Sequence, residues 1–493
     1  MVLAAALCCN TTIKCKRLSS ICYCNRTKKL ILVLFISKRS LKISMLRRNT
    51  KFLLVIFIII TNILFLNIIL NPFGYAQSPS VAGQKKQITL TLLLNDLGQP
   101  GRWGLLFEPA LQELKAKHPD IDIRVKYIEF PYEQTRSHLL SAMSNQTPVD
   151  IISLDEIWLG EFAQKGYVID LSGYAKNWGR LPDWYAQNIV GMTYKGGIYG
   201  IWVWTAVRGM WYWKDMLNQA GLDPNSLKTW DGYITAAKKL NAVLRPQGIE
   251  GVHLTGANHS PDLWYPYLWM LGGSILEERQ GHPTKGTYWF PAYNSSAGVR
   301  AMEFIKAQIN AGIKPQKQHF WGKEFLDRKF AVMLEAVQHQ VHLNNTEQKQ
   351  AFEQKIGFLP FPVPDEQHYQ SSTLMGGWLF NIPKTSKNKD LAWELITLAV
   401  EPKILTPWLA KYNYLPTQTT IGNGPFSNIL NQSIPYYNQL ISMIPAAGIR
   451  PSIPEYPQIA EHVRQALDDV YYGRKEPKQA LDDAAAQSAK VLG

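Results

Sequence analysis

The sequence predicts an α/β protein, in which short apolar strands alternate with amphipathic helices and ligands gather at the carboxyl ends of the strands. Three observations carry this. Between residues 88 and 146 strand-like and helix-like periodicities alternate twice. The stretch 149–166, VDIISLDEIWLGEFAQKG, then joins a short apolar run (Val149, Ile151, Ile152) to a helical pattern (Ile157, Leu159, Phe162, Ala163) that Gly166 is placed to end. Finally, 493 residues leave room for two or more domains with cores of their own.

Taken in order, the chain opens with a leader. Residues 52–70 form its most apolar run, interrupted only by Thr61, Asn62 and Asn67. Arg47, Arg48 and Lys51 precede the run and Gly74-Tyr75-Ala76 follows it. Basic, then apolar, then small residues is the pattern of a secretory signal peptide, here cut before Gln77. The run is also long enough to stay uncut as a single membrane anchor. Either way the basic flank stays inside and residues 77–493 end outside, so a periplasmic location is expected. Met45 would open a tidy signal peptide by itself, which makes residues 1–44 an over-extended start. All five cysteines lie in the first 24 residues, so the exported part has no disulfide, thiol nucleophile or cysteine-held metal.

The net charge of +14 suggests nucleic acid until it is located. Residues 1–76 hold 12 Lys and Arg and no acid, leaving 40 basic against 38 acidic residues in the remainder. No basic stripe is left to neutralise a phosphate backbone, and nucleic acid is not an expected partner.

After a linker at 78–87, residues 88–94 read as a strand, 104–117 as a helix with Leu105, Leu106, Leu111 and Leu114 inward, 121–128 as a strand and 132–146 as a helix. The first strand ends in Asn95-Asp96 before Gly98, Gly101 and Arg102. Asn95 and Asp96 are therefore candidate ligand contacts, although a surface turn is the commoner outcome. In the stretch 149–166 the strand ends in Asp155 and Glu156, which puts two carboxylates at a sheet's ligand-binding edge; an Asp there also commonly caps the following helix. No phosphate loop, HExxH or GxSxG motif occurs, and no carboxylate pair or triad stands out. An enzyme is not expected, nor a cofactor. His339 and His342 could share a helix face, but no third ligand accompanies them, so no metal is expected either.

Several phrases together carry a resemblance. Asp155 is followed by Trp158 and then EFAQKG. Residues 194–240 hold Tyr-Gly-Ile-Trp, the pair Lys214-Asp215, Ala220-Gly221-Leu222 and Thr229-Trp230-Asp231, where Thr229 caps a helix. Residues 375–398 read MGGWLFNIPKTSKNKDLAWELITL, and Tyr414-Leu415-Pro416-Thr417, Arg450-Pro451 and Glu455-Tyr456-Pro457 follow. On these grounds the chain resembles family 1 of the extracellular solute-binding proteins, the sugar-capturing subunits of ABC importers, and within it the trehalose/maltose-binding branch.

The resemblance implies a two-lobe periplasmic-binding-protein fold of type II, with hinge-linked lobes that each hold a mainly parallel sheet. Residues 77–204 with 377–425 would form one lobe and 205–376 with 426–493 the other. It implies a monomer that binds a sugar-like solute in the cleft and delivers it to ABC permease subunits. As cleft residues it implies Asp155, Glu156, Trp158, Trp204, Arg208, Trp264, Tyr265, Glu335, Gly377 and Trp378, with Gly377 offering its backbone and Trp378 its ring. The chain departs from the family pattern at Trp202 (usually Pro), Ala206 (often Asp) and Glu335-Ala336, where a stacking Trp usually follows the strand. Trp202 and Trp204 stand two apart on a predicted strand, so they should face the same way and be both core or both cleft. Trp393 reads as core. The alternatives from other classes are a secreted carbohydrate-active enzyme and a membrane-tethered sugar-sensing module.

Overall fold

The computed structural model describes residues 21–23, 30–32, 85–255, 261–282, 286–316, 322–343 and 345–493. The chain divides into two compact units, Met1–Gln84 and Lys85–Gly493. In the first, Ile21–Tyr23 pairs antiparallel with Leu30–Leu32; the apolar run at 52–70 and the cut before Gln77 lie outside the described residues. No helix among the described residues is long and apolar enough to cross a membrane.

The second unit is built on two main sheets. In chain order the strands are β1 (Lys86–Asn95), β2 (Ile121–Phe130), β3 (Ile151–Asp155), β4 (Ile201–Val207), β5 (Gly209–Trp213), β6 (Glu250–Val252), β7 (Phe330–Glu335), β8 (Ile356–Leu359), β9 (Met375–Asn381) and β10 (Leu415–Pro416). The larger sheet runs β10-β4-β9-β3-β1-β2 and the smaller β6-β7-β5-β8. The parallel rhythm read from the sequence holds for β1, which pairs in parallel with β2 and β3. It does not hold for the whole of either sheet. β9 is antiparallel to both β3 and β4, β10 to β4, and β5 to both β7 and β8. Four of the six strands of the larger sheet and three of the four of the smaller nevertheless run in one direction, as expected of mainly parallel sheets, with β9, β10 and β5 running against them. The reason is topological, because the chain leaves the larger sheet through β4 and returns through β9, and a returning strand runs the other way.

The helix Arg102–Lys117 buries Trp103, Leu106, Phe107, Ala110, Leu111 and Leu114 against the larger sheet. Leu105, expected inside, is 51% exposed, since the stripe that starts at Trp103 leaves it on the outer side. Trp103 is the centre of this layer, 5.0 Å from Phe380 and stacked 5.2 Å from Trp408. Trp393 is buried on the helix Lys389–Ala399, as expected. Thr229 caps the helix Trp230–Leu244 by accepting from the Gly232 amide.

Three segments join the two sheets side by side. β4 ends at Val207 in the larger sheet, and β5 begins at Gly209 in the smaller. Between them Arg208 donates its amide to Thr373 Oγ1 (2.9 Å), and that hydroxyl donates back to the Arg208 carbonyl (2.7 Å). The Thr373 carbonyl and the Met375 amide in turn bond the two backbone groups of Gly448 at 2.8 and 2.9 Å. Arg208, Thr373 and Gly448 thereby form one hydrogen-bonded seam.

Candidate functional site

Beside this seam lies a cavity of about 500 Å³, walled by the carboxyl ends of β1 and β3, by β4 and β9, and by the end of β7. Strand register sets its floor. Trp378 on β9 stands opposite Asp155 on β3 and opposite Trp204 on β4, so two indoles and a carboxylate are neighbours on one surface. Trp378 is held edge-on by Trp158 (5.7 Å) and by Tyr132 (6.1 Å). Trp204 stacks on Tyr414 at 4.1 Å with 15° between the planes. Both indoles are therefore held in one orientation, which suits them to cover a ligand's apolar face.

Trp202 and Trp204 do not share a fate. The register moves from Trp378↔Trp204 to Leu379↔Trp202, which leaves Val203 as an extra residue. Such a bulge breaks the two-residue alternation. Trp204 lines the cavity, while Trp202 is fully buried, with Nε1 donating to the Trp204 carbonyl. The bulge also accounts for Gly377. A Cβ there would lie 2.1 Å from the Trp204 carbonyl oxygen and 2.3 Å from Trp202 Nε1. Its amide is already engaged, donating to Glu156 Oε2 at 3.2 Å. The glycine makes room for the protein's own tryptophan rather than offering a free amide to a ligand.

Opposite the rings lies a charged cluster. Arg450 donates through Nε to Glu156 (2.9 Å) and through Nη1 to Asp262 (2.9 Å), and its Nη2 lies 3.5 Å from Asp155 Oδ1. Arg208 bonds Glu335 at 3.1 Å and Asp262 at 3.3 Å. Four carboxylates thus share two guanidiniums. Burial, together with the charge of Asp155, holds the Glu156 carboxyl well above its ordinary range against the pull of Arg450. Burial likewise raises Glu335, and Arg208 opposes it. Asp155 takes the Tyr132 hydroxyl on Oδ2 at 2.9 Å.

The cavity walls carry unused hydrogen-bonding capacity. Arg102 Nε, Asp155 Oδ1, Trp204 Nε1, Arg208 Nη1 and His339 Nε2 are buried without a hydrogen-bond partner among the described residues, and all five side chains line the cavity. Each such atom costs about 1–3 kcal/mol if left unpaired. Walls that combine fixed aromatic faces with unpaired donors and acceptors suit a compact polyhydroxylated molecule.

Of the residues expected at the site, Asn95, Asp96, Asp155, Trp204, Arg208, Glu335, Gly377 and Trp378 line the cavity. Asn95 is committed to its own turn, bonding Thr135 Oγ1 and the Leu97 amide. Glu156 and Trp158 do not reach the cavity; they lie directly behind it, as anchor of Arg450 and as support of Trp378. Trp264 and Tyr265 are buried among Trp269 and Tyr456, outside the lining. Lining residues not proposed as contacts from the sequence include Tyr132, Asp262, His339 and Tyr414, whereas Arg102 and Arg450, also in the lining, stand in stretches that the sequence did mark, the loop after β1 and the Arg450-Pro451 phrase. Tyr132 was within reach, since it follows the carboxyl end of β2 just as Asn95 and Asp155 end β1 and β3. Asp262 had no local signal at all.

Two mixed sheets joined by a three-segment seam, with a walled cleft beside it, define a two-lobed solute-binding protein. The chain belongs to the bacterial extracellular solute-binding protein family, whose model matches residues 104–404. A mannitol-binding protein of Pseudomonas aeruginosa is 23% identical over 436 residues, covering 84% of this chain and 95% of that protein. Among solved structures, an ABC transporter solute-binding protein of Thermotoga lettingae bound with α-D-tagatose matches with a TM-score of 0.67 at 23% identity, covering 83% of this chain and 100% of the other. The maltose-bound MalE3 of T. maritima matches with a TM-score of 0.66 at 21% identity, covering 82% and 100%.

Proposed function

We propose that this protein captures a sugar or sugar-like polyol outside the cytoplasmic membrane and hands it intact to the permease of an ABC importer. The observation that carries the reading is the cavity itself, where Trp378 and Trp204 present fixed rings beside Asp155, Arg102, Arg208 and His339, each with an unpaired buried polar atom. Relatives named for mannitol, tagatose and maltose support a polyhydroxylated ligand. In this reading Asp155 and Trp378 are the principal contacts, and Trp204, Arg208 and Glu335 complete the walls. The lobes are residues 77–204 with 377–425 and 205–376 with 426–493, and the hinge lies around Trp202 to Arg208 and Met375 to Trp378, beside the seam. A solute touching both lobes shifts the population towards the closed form, which the permease recognises. The protein acts as a monomer, and residues 1–76 are removed on export.

Small-angle scattering with D-mannitol, D-tagatose and maltose tests the reading. A binding sugar should reduce the radius of gyration and be recovered chemically unchanged. A radius unchanged at saturation argues for a rigid pocket, and a consumed ligand argues for an enzyme. Mass spectrometry of the periplasmic fraction checks the leader, with a mature chain beginning near Gln77 as the expected species.

A further inference from the structure

Arg102 heads the helix Arg102–Lys117 and is only 8% exposed. Its Nη1 donates to the Tyr414 hydroxyl at 2.8 Å, and its guanidinium carbon sits 4.7 Å from the centre of the Tyr412 ring. Unlike Arg208 and Arg450, it has no carboxylate partner among the described residues, and its Nε is unpaired. On the other wall, His339 stands in the turn Val337–Gln340 that follows β7. Its ring meets Trp204 edge-on at 5.4 Å and Tyr414 at 4.9 Å, which fixes its plane, and its Nε2 is buried and unpaired. Tyr414 therefore touches both residues.

We propose that Arg102 and His339 form a polar subsite that grips one hydroxyl of an uncharged solute, the hydroxyl accepting from Arg102 and donating to His339. The proposal rests on the solute-binding reading above and narrows it to neutral polyols and sugars. A guanidinium only donates, whereas a neutral imidazole supplies one donor and one acceptor. Burial, with the charges of Arg208 and Arg102, pushes the His339 imidazole down to about 3, so it stays neutral in any ordinary medium. The groups facing it are those two guanidiniums and the rings of Trp204 and Tyr414. A hydroxyl serves both partners at once. A carboxylate or phosphate would satisfy Arg102 but has no proton to give His339. The wider walls also disfavour an anion, because Asp96, Glu133, Asp155, Asp262 and Glu335 outnumber Arg102, Arg208 and Arg450. Arg102 comes from the β1 side and His339 from the β7 side, so a hydroxyl held by both draws the two sides of the cleft together.

The test is calorimetry on the exported protein with D-mannitol, D-tagatose, maltose, D-glucuronate and glucose 6-phosphate as probes. At least one neutral probe should bind more tightly than either anion. His339→Phe and Arg102→Met should each weaken that probe about tenfold, the scale of one lost hydrogen bond. His339→Gln, which keeps a donor and an acceptor, should recover most of the loss. Wild-type protein, with no variant needed, should bind one monodeoxy analogue of the probe at least about tenfold more weakly, and His339→Phe should distinguish that analogue from its parent less strongly than wild type does, since only the Arg102 bond remains to be lost. Unchanged affinity in His339→Phe, or tighter binding of glucuronate or glucose 6-phosphate, overturns the subsite and leaves the solute-binding reading intact. Failure of all five probes to bind overturns that reading and the subsite with it.

Discussion

Arg450 and Glu156 are 294 residues apart in the chain, yet Arg450 Nε donates to Glu156 Oε1 at 2.9 Å in a fully buried contact. Glu156 follows directly on β3 of the larger sheet, and Arg450 lies just past the seam residue Gly448. The same guanidinium reaches Asp262, so one side chain fastens the carboxylates behind the cavity to the wall facing them.

Removing one partner of a buried pair leaves the other charge unmatched. Arg450→Met should therefore cost about 3–5 kcal/mol of folding stability. Adding Glu156→Gln to that variant should return part of the loss, because the stranded carboxylate is then neutral. Urea unfolding of the two single variants and the double variant measures this coupling; strictly additive losses would show that the pair is not coupled.

The pH dependence has a definite sign. Glu156 is held above its ordinary value of 4.5 in the folded protein, chiefly by burial and then by the charge of Asp155, against the opposing pull of Arg450. Below that value both folded and unfolded chains hold the proton. As the pH rises through it, the unfolded chain releases the proton first, so the contribution to stability falls until the folded group also ionises. His339 acts oppositely, losing stability as the pH falls from 6.5 towards about 3. Since the two oppose each other, the informative quantity is the difference between variant and wild type. The melting temperature of Glu156→Gln relative to wild type should rise as the pH goes from 4 to 8, and a flat difference contradicts the raised value.

The sequence made legible what depends on local pattern. β1, β2, the helix Lys389–Ala399 and the Thr229 cap all follow from periodicity and capping residues. The carboxyl-edge rule placed Asn95, Asp96 and Asp155 on the cavity, and resemblance added Trp204, Arg208, Glu335, Gly377 and Trp378. What stayed hidden depends on contacts distant in sequence. The bulge at Val203, which separates Trp202 from Trp204, exists only in the register between β4 and β9. Asp262 matters because Arg208 and Arg450 converge on it, and neither is near it in the chain.

Gly377 should tolerate no side chain, and for a reason internal to the fold. Its Cβ would sit 2.1 Å from a backbone oxygen of β4, an atom that cannot swing aside. Gly377→Ala should lower stability by about 1–3 kcal/mol through overpacking. Thermal unfolding without any ligand is the appropriate measurement, since the clash is between parts of the protein itself. A melting temperature equal to that of wild type would mean that β4 and β9 yield more readily than their pairing suggests.

Affinity should depend most on Asp155 and Trp378, which the register places opposite each other at the cavity floor. Asp155 Oδ2 is occupied by the Tyr132 hydroxyl, whereas Oδ1 lies 3.5 Å from Arg450 Nη2 without bonding it, and the Glu156 carboxyl is close to the same side chain. Asp155→Asn keeps an oxygen for Tyr132 while removing the charge that makes a carboxylate a strong acceptor of ligand hydroxyls. That should weaken binding by roughly 1.5–3 kcal/mol. Trp378→Ala removes an indole braced by Trp158 and Tyr132, and with it the apolar face available to a sugar ring. Its loss should be of similar size, roughly 1.5–3 kcal/mol. Trp393→Phe is the control: that indole packs against Trp178 and Tyr174, among the core residues, so stability should drop while affinity holds. Calorimetry with whichever neutral probe binds, beside circular dichroism to show that each variant is folded, decides the matter. If folded Asp155→Asn and Trp378→Ala both bind like wild type, the ligand sits elsewhere in the protein.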